Sequence, residues 1–342
     1  MKKILTLLMI AVFTILSVGC NGEVKVDNQQ KTESANMSSN DEDNSQSKKS
    51  SKSENVNGDL YIKMLNVGQG DAVLIQTKTQ NILIDTSDTD ERDKLRTELD
   101  KAGVKKIDKL ILTHAHADHI GGAKLVIDSY NVKEVYNDGT DRGKYNVYKG
   151  YITAAEKKNI PVKKLQAGDK LNFGNKVTFE VFYPTEELRD KFAAERDYND
   201  TSIVGKLTYG DFSMLFTGDA EKVAENEQLN SSYKKKLKST VLKAPHHGSK
   251  TSAGADYMKA VSPECVVISA GDPSDPTGSG NSYGHPHNQA LNSYIKNGGV
   301  DKNNIFWTFE NGTITITTNG KNWSVTTEHK VNWLDKWLKK NK

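Results

Sequence analysis

The stretch DKLILTHAHADHIGG, residues 108–122, sets an apolar strand-like run directly against three histidines and an aspartate within six positions, His114 to His119. Burying several imidazoles and a carboxylate costs free energy unless each finds a partner. A divalent cation is the partner that suits so dense a set of lone-pair donors. The fold must therefore bring this strand end beside others that complete a ligand set.

Two further stretches repeat the pattern. FSMLFTGD delivers Asp219 and STVLKAPHHGS delivers His246 and His247, each after an apolar run. Strand ends at one edge of a sheet converge, so His114, His116, Asp118, His119, Asp219, His246 and His247 are expected to meet. Imidazole and carboxylate without thiolate suit zinc, manganese or iron in an open site, not a closed structural zinc site. A carboxylate bridges two cations more readily than a histidine does, which makes Asp219 the natural bridge.

The rest of the chain supplies the sheets. From Gly58, DLYIKMLNV, DAVLIQT and NILIDT read as short strands, and ERDKLRTELDKAG reads as a helix stopping at Gly103. GGAKLVIDSY is a helix after the histidine cluster. The second half has TSIVGKLTYG and FSMLFTGD as paired strands, AEKVAENEQL as a helix, STVLKAPHHGS and ECVVISAG as strands, and HNQALNSYIKNGG as a helix. IFWTFENGTITITTNGKNWSVTT is expected to form hairpins turning at Asn311-Gly312 and Asn319-Gly320. Strands followed by strand–helix alternation, twice over, predict an α/β protein: an αββα sandwich of two mixed sheets flanked by helices. Residues 131–198 carry the weakest pattern. Trp307, Trp323, Trp333 and Trp337 are expected in the core and in an amphipathic closing helix, WLDKWLKKNK, and Cys265 as a small buried apolar residue.

The amino-terminal segment has a different texture. Lys2 and Lys3, an apolar run from Ile4 to Val18 and then Gly19-Cys20 read as a bacterial export signal over residues 1–20. A cysteine after a small residue resembles the lipoprotein box, which implies lipidation at Cys20 and attachment to the outer side of the cell membrane. Residues 21–57 are rich in Ser, Asn, Lys and Glu, with little to bury, and are expected to be a disordered tether. Residues 58–342 then form the working domain. The formal charge of the whole chain is only +3, and removal of the signal takes two lysines with it, so net charge exerts no strong pull on a polyanion. Two cysteines exclude both a disulfide framework and a cysteine-rich zinc cluster.

Six motifs occur in one order: LNVGQGDAVLI, ILIDT, THAHADHIGG, MLFTGD, LKAPHHGS and YGHP. Together they resemble the metallo-β-lactamase superfamily, and within it the extracytoplasmic hydrolase-like domain of the ComEC competence DNA-uptake family, over residues 59–320. The resemblance implies two divalent metal ions, zinc or manganese. The first would be held by His114 and His116, the second by Asp118, His119 and one of His246 and His247, with Asp219 bridging. Spacing does not separate the last two histidines; His246 is favoured because it follows the strand more directly. The resemblance further implies that water or hydroxide between the metals is the nucleophile, with Asp118 orienting it and His247 and His285 among the catalytic or substrate-facing groups. Asp71 would help to position ligands. The superfamily usually supplies a further histidine before the TGD motif, yet none occurs between His119 and His246; Asn199 or Asp200 is a candidate replacement through oxygen.

The function so implied is a surface-tethered metallo-hydrolase, a phosphodiesterase or nuclease acting on DNA. One alternative is a phosphodiesterase that removes substituents such as phosphorylcholine from cell-wall polymers. Another is a binding protein that retains metals without turnover. No protein partner is inferred.

Overall fold

The computed structural model describes residues 51–53, 56–275 and 280–340. The expected export signal at 1–20, its Cys20, and most of the expected tether lie outside the described residues. At the far end of that tether, Ser51–Lys52 pairs in parallel with Asn322 and Trp323, and the Ser53 amide donates to the Trp323 carbonyl at 2.9 Å, so this part is bound to a sheet edge. Among the described residues, no helix is long and apolar enough to cross a membrane.

Two mixed sheets lie face to face with helices on their outer faces. The first has nine strands, in the spatial order 51–52, 322–327, 314–318, 60–64, 73–76, 81–84, 109–111, 135–137 and 162–164. The second has seven, ordered 170–172, 178–183, 204–209, 212–216, 241–243, 265–268 and 305–307. Side chains alternate along each strand, and that period of two feeds separate cores. Val73 and Ile75 point between the sheets while Leu74 points outward; Ile82 and Ile84 flank Leu83 in the same way. In the second sheet Val241, Cys265 and Val267 face the first sheet, and Leu242, Val266 and Ile268 face outward to helices. The outer layers come from amphipathic helices. Leu95 and Leu99 of Arg92–Lys101 and Val126 and Ile127 of Ala123–Ser129 cover the first sheet; Tyr257 and Met258 of Ala255–Val261 and Leu291 and Tyr294 of Asn288–Lys296 cover the second. The expected αββα sandwich is present.

The strands that feed the site run in parallel: 81–84, 109–111 and 135–137 in the first sheet, and 212–216, 241–243, 265–268 and 305–307 in the second. Their carboxyl ends gather at one edge of the sandwich. Only one of the two expected turns in the closing segment makes a hairpin. Strands Ile314–Thr318 and Asn322–Thr327 pair antiparallel around Asn319-Gly320. Asn311-Gly312 instead ends the short helix Thr308–Asn311, because Ile305–Trp307 belongs to the other sheet and pairs with Cys265–Ile268. The chain must therefore cross between sheets there. Trp307, Trp323 and Trp333 are buried, and the lysines of helix Leu334–Lys340 are exposed, as the sequence predicts.

The second sheet also makes room for an aromatic layer. Phe179 stacks on Phe173 at 5.4 Å and lies over Gly205, where an added Cβ would sit 2.2 Å from the ring. Gly205→Ala is expected to lower stability by about 1–3 kcal/mol through overpacking, read as a lower urea midpoint at an unchanged slope. An unchanged midpoint would mean that the ring moves aside freely.

Candidate metal centre

Four of the parallel strand ends, with the loop at 68–71, build the site. Asp85 ends the first of these strands in a left-handed conformation, φ 61°, and accepts from the Thr113 amide at 2.7 Å and the Thr113 hydroxyl at 2.8 Å. The histidine cluster follows strand Lys109–Ile111; His116 precedes the short helix Ala117–Ile120, which carries Asp118 and His119. The loops at 69–71 and 85–88 sew this helix down. The Asp71 amide donates to the Asp118 carbonyl at 3.0 Å, the Thr86 amide to the His119 carbonyl at 2.7 Å, and the Ser87 amide to the Asp71 carbonyl at 2.7 Å. Gly70, φ 117°, passes so close that a Cβ would lie 2.4 Å from the Asp118 carbonyl oxygen, which excludes any side chain there. Asp219 comes from the second sheet, its amide donating to Ser202 Oγ at 3.0 Å.

Asp118, His119, Asp219 and His247 present one ligand atom each within 4.8 Å of one another. The His119 Nε2 lies 3.1 Å from Asp219 Oδ2, and His247 Nε2 lies 3.3 Å from both Asp118 Oδ2 and Asp219 Oδ2. His114 and His116 stand alongside, Nε2 to Nδ1 at 3.1 Å, with the His114 ring 4.2 Å from that of His119. Of the two adjacent histidines, His247 rather than the favoured His246 stands in this group. Both histidines take positive φ, 45° and 54°, in the turn Pro245–Gly248, and that twist aims the second one inward. The His246 Nδ1 instead meets Glu221 Oε1 at 2.9 Å, and its Nε2 stays 3.7 Å from Asp219. The two residues offered in place of a histidine diverge as well. Asn199 lines the cavity, its buried Oδ1 without a hydrogen-bond partner. Asp200 turns away and accepts from the Glu221 amide at 2.8 Å at the start of helix Lys222–Asn230.

The hydrogen bonds on the far side of the rings settle what the near side offers. His247 Nδ1 donates to the Ser269 carbonyl at 2.8 Å, and His119 Nδ1 donates to Asp85 at 2.9 Å. In the neutral tautomer each Nε2 is then a lone pair facing carboxylate oxygens, and both Nε2 atoms lack a hydrogen-bond partner. Lone pairs facing carboxylates repel unless a cation or protons stand between them. The charge balance points the same way. Asp71, Asp85, Asp118 and Asp219 face one buried cation, Lys243, which pairs with Asp71, lies 3.7 Å from Asp219 and donates to the Gly218 carbonyl at 3.0 Å. The donor set therefore fits divalent cations.

Without a cation, protons take its place. Burial pulls His247 down, but Asp219 and Asp71 outweigh it and raise its pKa to about 10. His119 is likewise raised well above the ordinary histidine value, burial again opposing Asp219 and Asp85. His114 is held well below it by burial, with His119 and His116 adding to the effect, so its nitrogen stays an open lone pair. Burial, with His247 and His246 nearby, pushes His285 down to about 2 and keeps it neutral.

A cavity of about 790 Å³ opens over this cluster, walled by His116, Asn199, His246, Tyr283, His285 and Lys250 among others. His285 is buried with its ring 5.9 Å from His247 and an unpartnered Nδ1, while Tyr283 stacks on it from an exposed position. Asp85, Lys243 and Glu221 were not singled out by sequence reasoning. Asp85 shows the same signature as the others, a polar residue one step past an apolar strand. Lys243 carries no such signal, because a lysine inside a strand reads as an exposed position.

Comparison with known proteins agrees with this geometry. Residues 65–271 match the family described as "Metallo-beta-lactamase superfamily", and the chain belongs to that superfamily, whose members are metallo-hydrolases. It is 30% identical over 257 residues to ComE operon protein 3 of Bacillus subtilis (strain 168), covering 67% of this chain and 30% of that protein. It is also 30% identical over 240 residues to competence protein ComA of Neisseria gonorrhoeae, covering 70% and 30% respectively. The ComEC-like assignment read from the ordered motifs is supported. The chain spans about 30% of the length of these relatives. Among solved structures, a mutant of the β-hydroxylase CmlA superposes with a TM-score of 0.50 at 13% identity, covering 77% of this chain and 55% of that one, a likeness of fold alone.

Two outcomes follow from the site. Lys243→Met leaves Asp71 and Asp219 without their buried partner and is expected to cost the metal-free chain about 3–5 kcal/mol, read by urea denaturation. Because His119 and His247 hold protons that a cation must displace, zinc affinity should rise with pH between about pH 6 and 8, roughly tenfold per unit for each proton displaced. Competition with a chromophoric chelator measures it. A flat profile would mean that neither imidazole is a ligand.

Proposed function

We propose that this chain is a metal-dependent phosphodiesterase that cleaves DNA outside the cytoplasm, held to the membrane through Cys20. The observation that carries the reading is the pair of imidazole lone pairs, His119 Nε2 and His247 Nε2, facing Asp118 and Asp219 with no hydrogen-bond partner. Similarity to two competence proteins supports DNA as the substrate.

In this reading His114 and His116, with Asn199 nearby, would hold one cation, and Asp118, His119 and His247 a second, with Asp219 available to both. Two such cations supply the Lewis acidity that activates water and offsets charge developing on a phosphoryl group. The protein does the rest. Asp85 and Ser269 fix the two imidazole tautomers so that each Nε2 faces inward. Lys243 holds Asp71 and approaches Asp219, and so keeps the Asp219 carboxylate in the field of a buried ammonium. Asp118, held below the ordinary carboxylate range by His119 and His247 against the effect of burial, remains an acceptor able to orient the attacking water. His285 stays neutral and offers its free Nδ1 to the substrate, and His246, braced by Glu221 and Thr251, faces the same cavity.

The test uses the full chain, stripped of metal and reloaded separately with zinc and manganese. It is assayed on end-labelled single- and double-stranded DNA beside bis-p-nitrophenyl phosphate. DNA cleavage is expected, falling at least about a thousandfold in Asp219→Ala, with circular dichroism reporting that the variant is folded. Cleavage of the small diester alone would redirect the search to cell-wall polymers. Two bound metals with no turnover on either substrate would overturn the reading in favour of a binding role.

A further inference from the structure

A second cavity, of about 600 Å³, adjoins the first and shares Tyr145 with it. Arg142, Lys144 and Arg196 line it against a single carboxylate, Asp141, whose Oδ1 is engaged by the Gly143 amide at 2.8 Å. The remaining wall is aromatic. The Arg142 guanidinium sits 4.3 Å from the centre of the Tyr145 ring and 3.9 Å from that of Tyr198. Tyr198 in turn contacts the His116 ring edge-on at 5.8 Å. This cavity therefore begins where the metal cluster ends.

Arg142 is built in. Two ring faces fix the plane of its guanidinium, and one of its nitrogens donates to the Ala115 carbonyl, inside the histidine motif. Among the described residues no carboxylate pairs with Arg142, Lys144 or Arg196. A fixed guanidinium with donors to spare and two exposed cations beside it form a receptor for an oxyanion. Arg196 adds a further sign. It ends helix Glu186–Glu195 in a left-handed conformation, φ 62°, where glycine or asparagine is the usual choice, and that geometry carries its side chain to the cavity wall.

We propose that this cavity is an anion subsite for the phosphate neighbouring the scissile one on a nucleic-acid strand, with Arg142 as its fixed donor and Lys144 and Arg196 as its rim. The inference rests on the phosphodiesterase reading and narrows it. A substrate with one isolated diester leaves this subsite empty, whereas a polynucleotide fills both cavities. The site thereby discriminates a polymer of phosphodiesters from a single phosphodiester substituent.

The experiment compares the metal-loaded full chain with Lys144→Ala/Arg196→Ala on hexathymidylate and on the p-nitrophenyl ester of thymidine 5′-phosphate, which has no neighbouring phosphate. The ratio of kcat/KM for the oligonucleotide to that for the lone diester is expected to fall about tenfold. Lys149→Ala, an exposed lysine outside both cavities, controls for loss of general surface charge and should keep the ratio. An unchanged ratio in the double variant overturns the subsite while leaving the phosphodiesterase reading intact. If the wild-type chain cleaves neither substrate, that reading fails, and binding alone decides the subsite. Anisotropy of fluorescein-labelled hexathymidylate on metal-free protein, followed against potassium chloride, should lose about 1.4 from its log–log salt slope in the double variant, from about 0.7 per cation. An equal slope in both proteins overturns the subsite by that route.

Discussion

Four aspartates, Asp71, Asp85, Asp118 and Asp219, converge at one edge of the sandwich around a single buried ammonium, that of Lys243. Isolated charges of one sign cannot be buried this way; the desolvation cost is far larger than the net stability of a domain. The site holds together because each carboxylate is tied to something fixed. Asp85 is tied to Thr113 and His119, Asp71 to Lys243, Asp118 to His247, and Asp219 to His119, with its backbone amide held by the Ser202 hydroxyl. What remains uncompensated is a negative potential aimed at two imidazole lone pairs, and that remainder is what makes the edge a cation site.

The two sheets matter because neither supplies enough ligands by itself. The first contributes Asp85 and the 114–119 cluster; the second contributes Asp219, Lys243 and His247. The Ile203 amide donates to the Thr113 carbonyl at 2.9 Å and ties the segment entering the second sheet to the residue that anchors Asp85. The apolar core between the sheets, from Ile62 and Ile84 to Val241 and Val267, keeps the two halves of the ligand set in register. A packed interior transmits small displacements rather than absorbing them, so the spacing of the donor set depends on that core as much as on the donors themselves.

Strand ends were the legible part of the sequence. Apolar runs followed within three residues by His or Asp located the 109–111, 212–216 and 241–243 strands and the residues they deliver. Asp85 obeys the same rule but stands alone after its strand, so nothing distinguished it from a turn residue. Lys243 was hidden for the opposite reason: inside a strand, a lysine reads as an exposed position until the neighbouring sheet supplies Asp71 as its partner. The hairpin expected at Asn311-Gly312 failed because turn propensity is local, while the allegiance of Ile305–Trp307 to the other sheet is not.

The sequence by itself determined most of the strands and helices, the two-layer architecture and the seven ligand-type residues, because periodicity and composition are properties of neighbouring residues. Tertiary structure decided which nitrogen faces the cluster. A histidine commits one ring nitrogen to a partner distant in the chain, such as Asp85 or the Ser269 carbonyl, and only then is the other free. That His247 rather than His246 stands in the cluster likewise follows from two left-handed residues in one turn, a backbone twist that adjacent identical residues cannot announce.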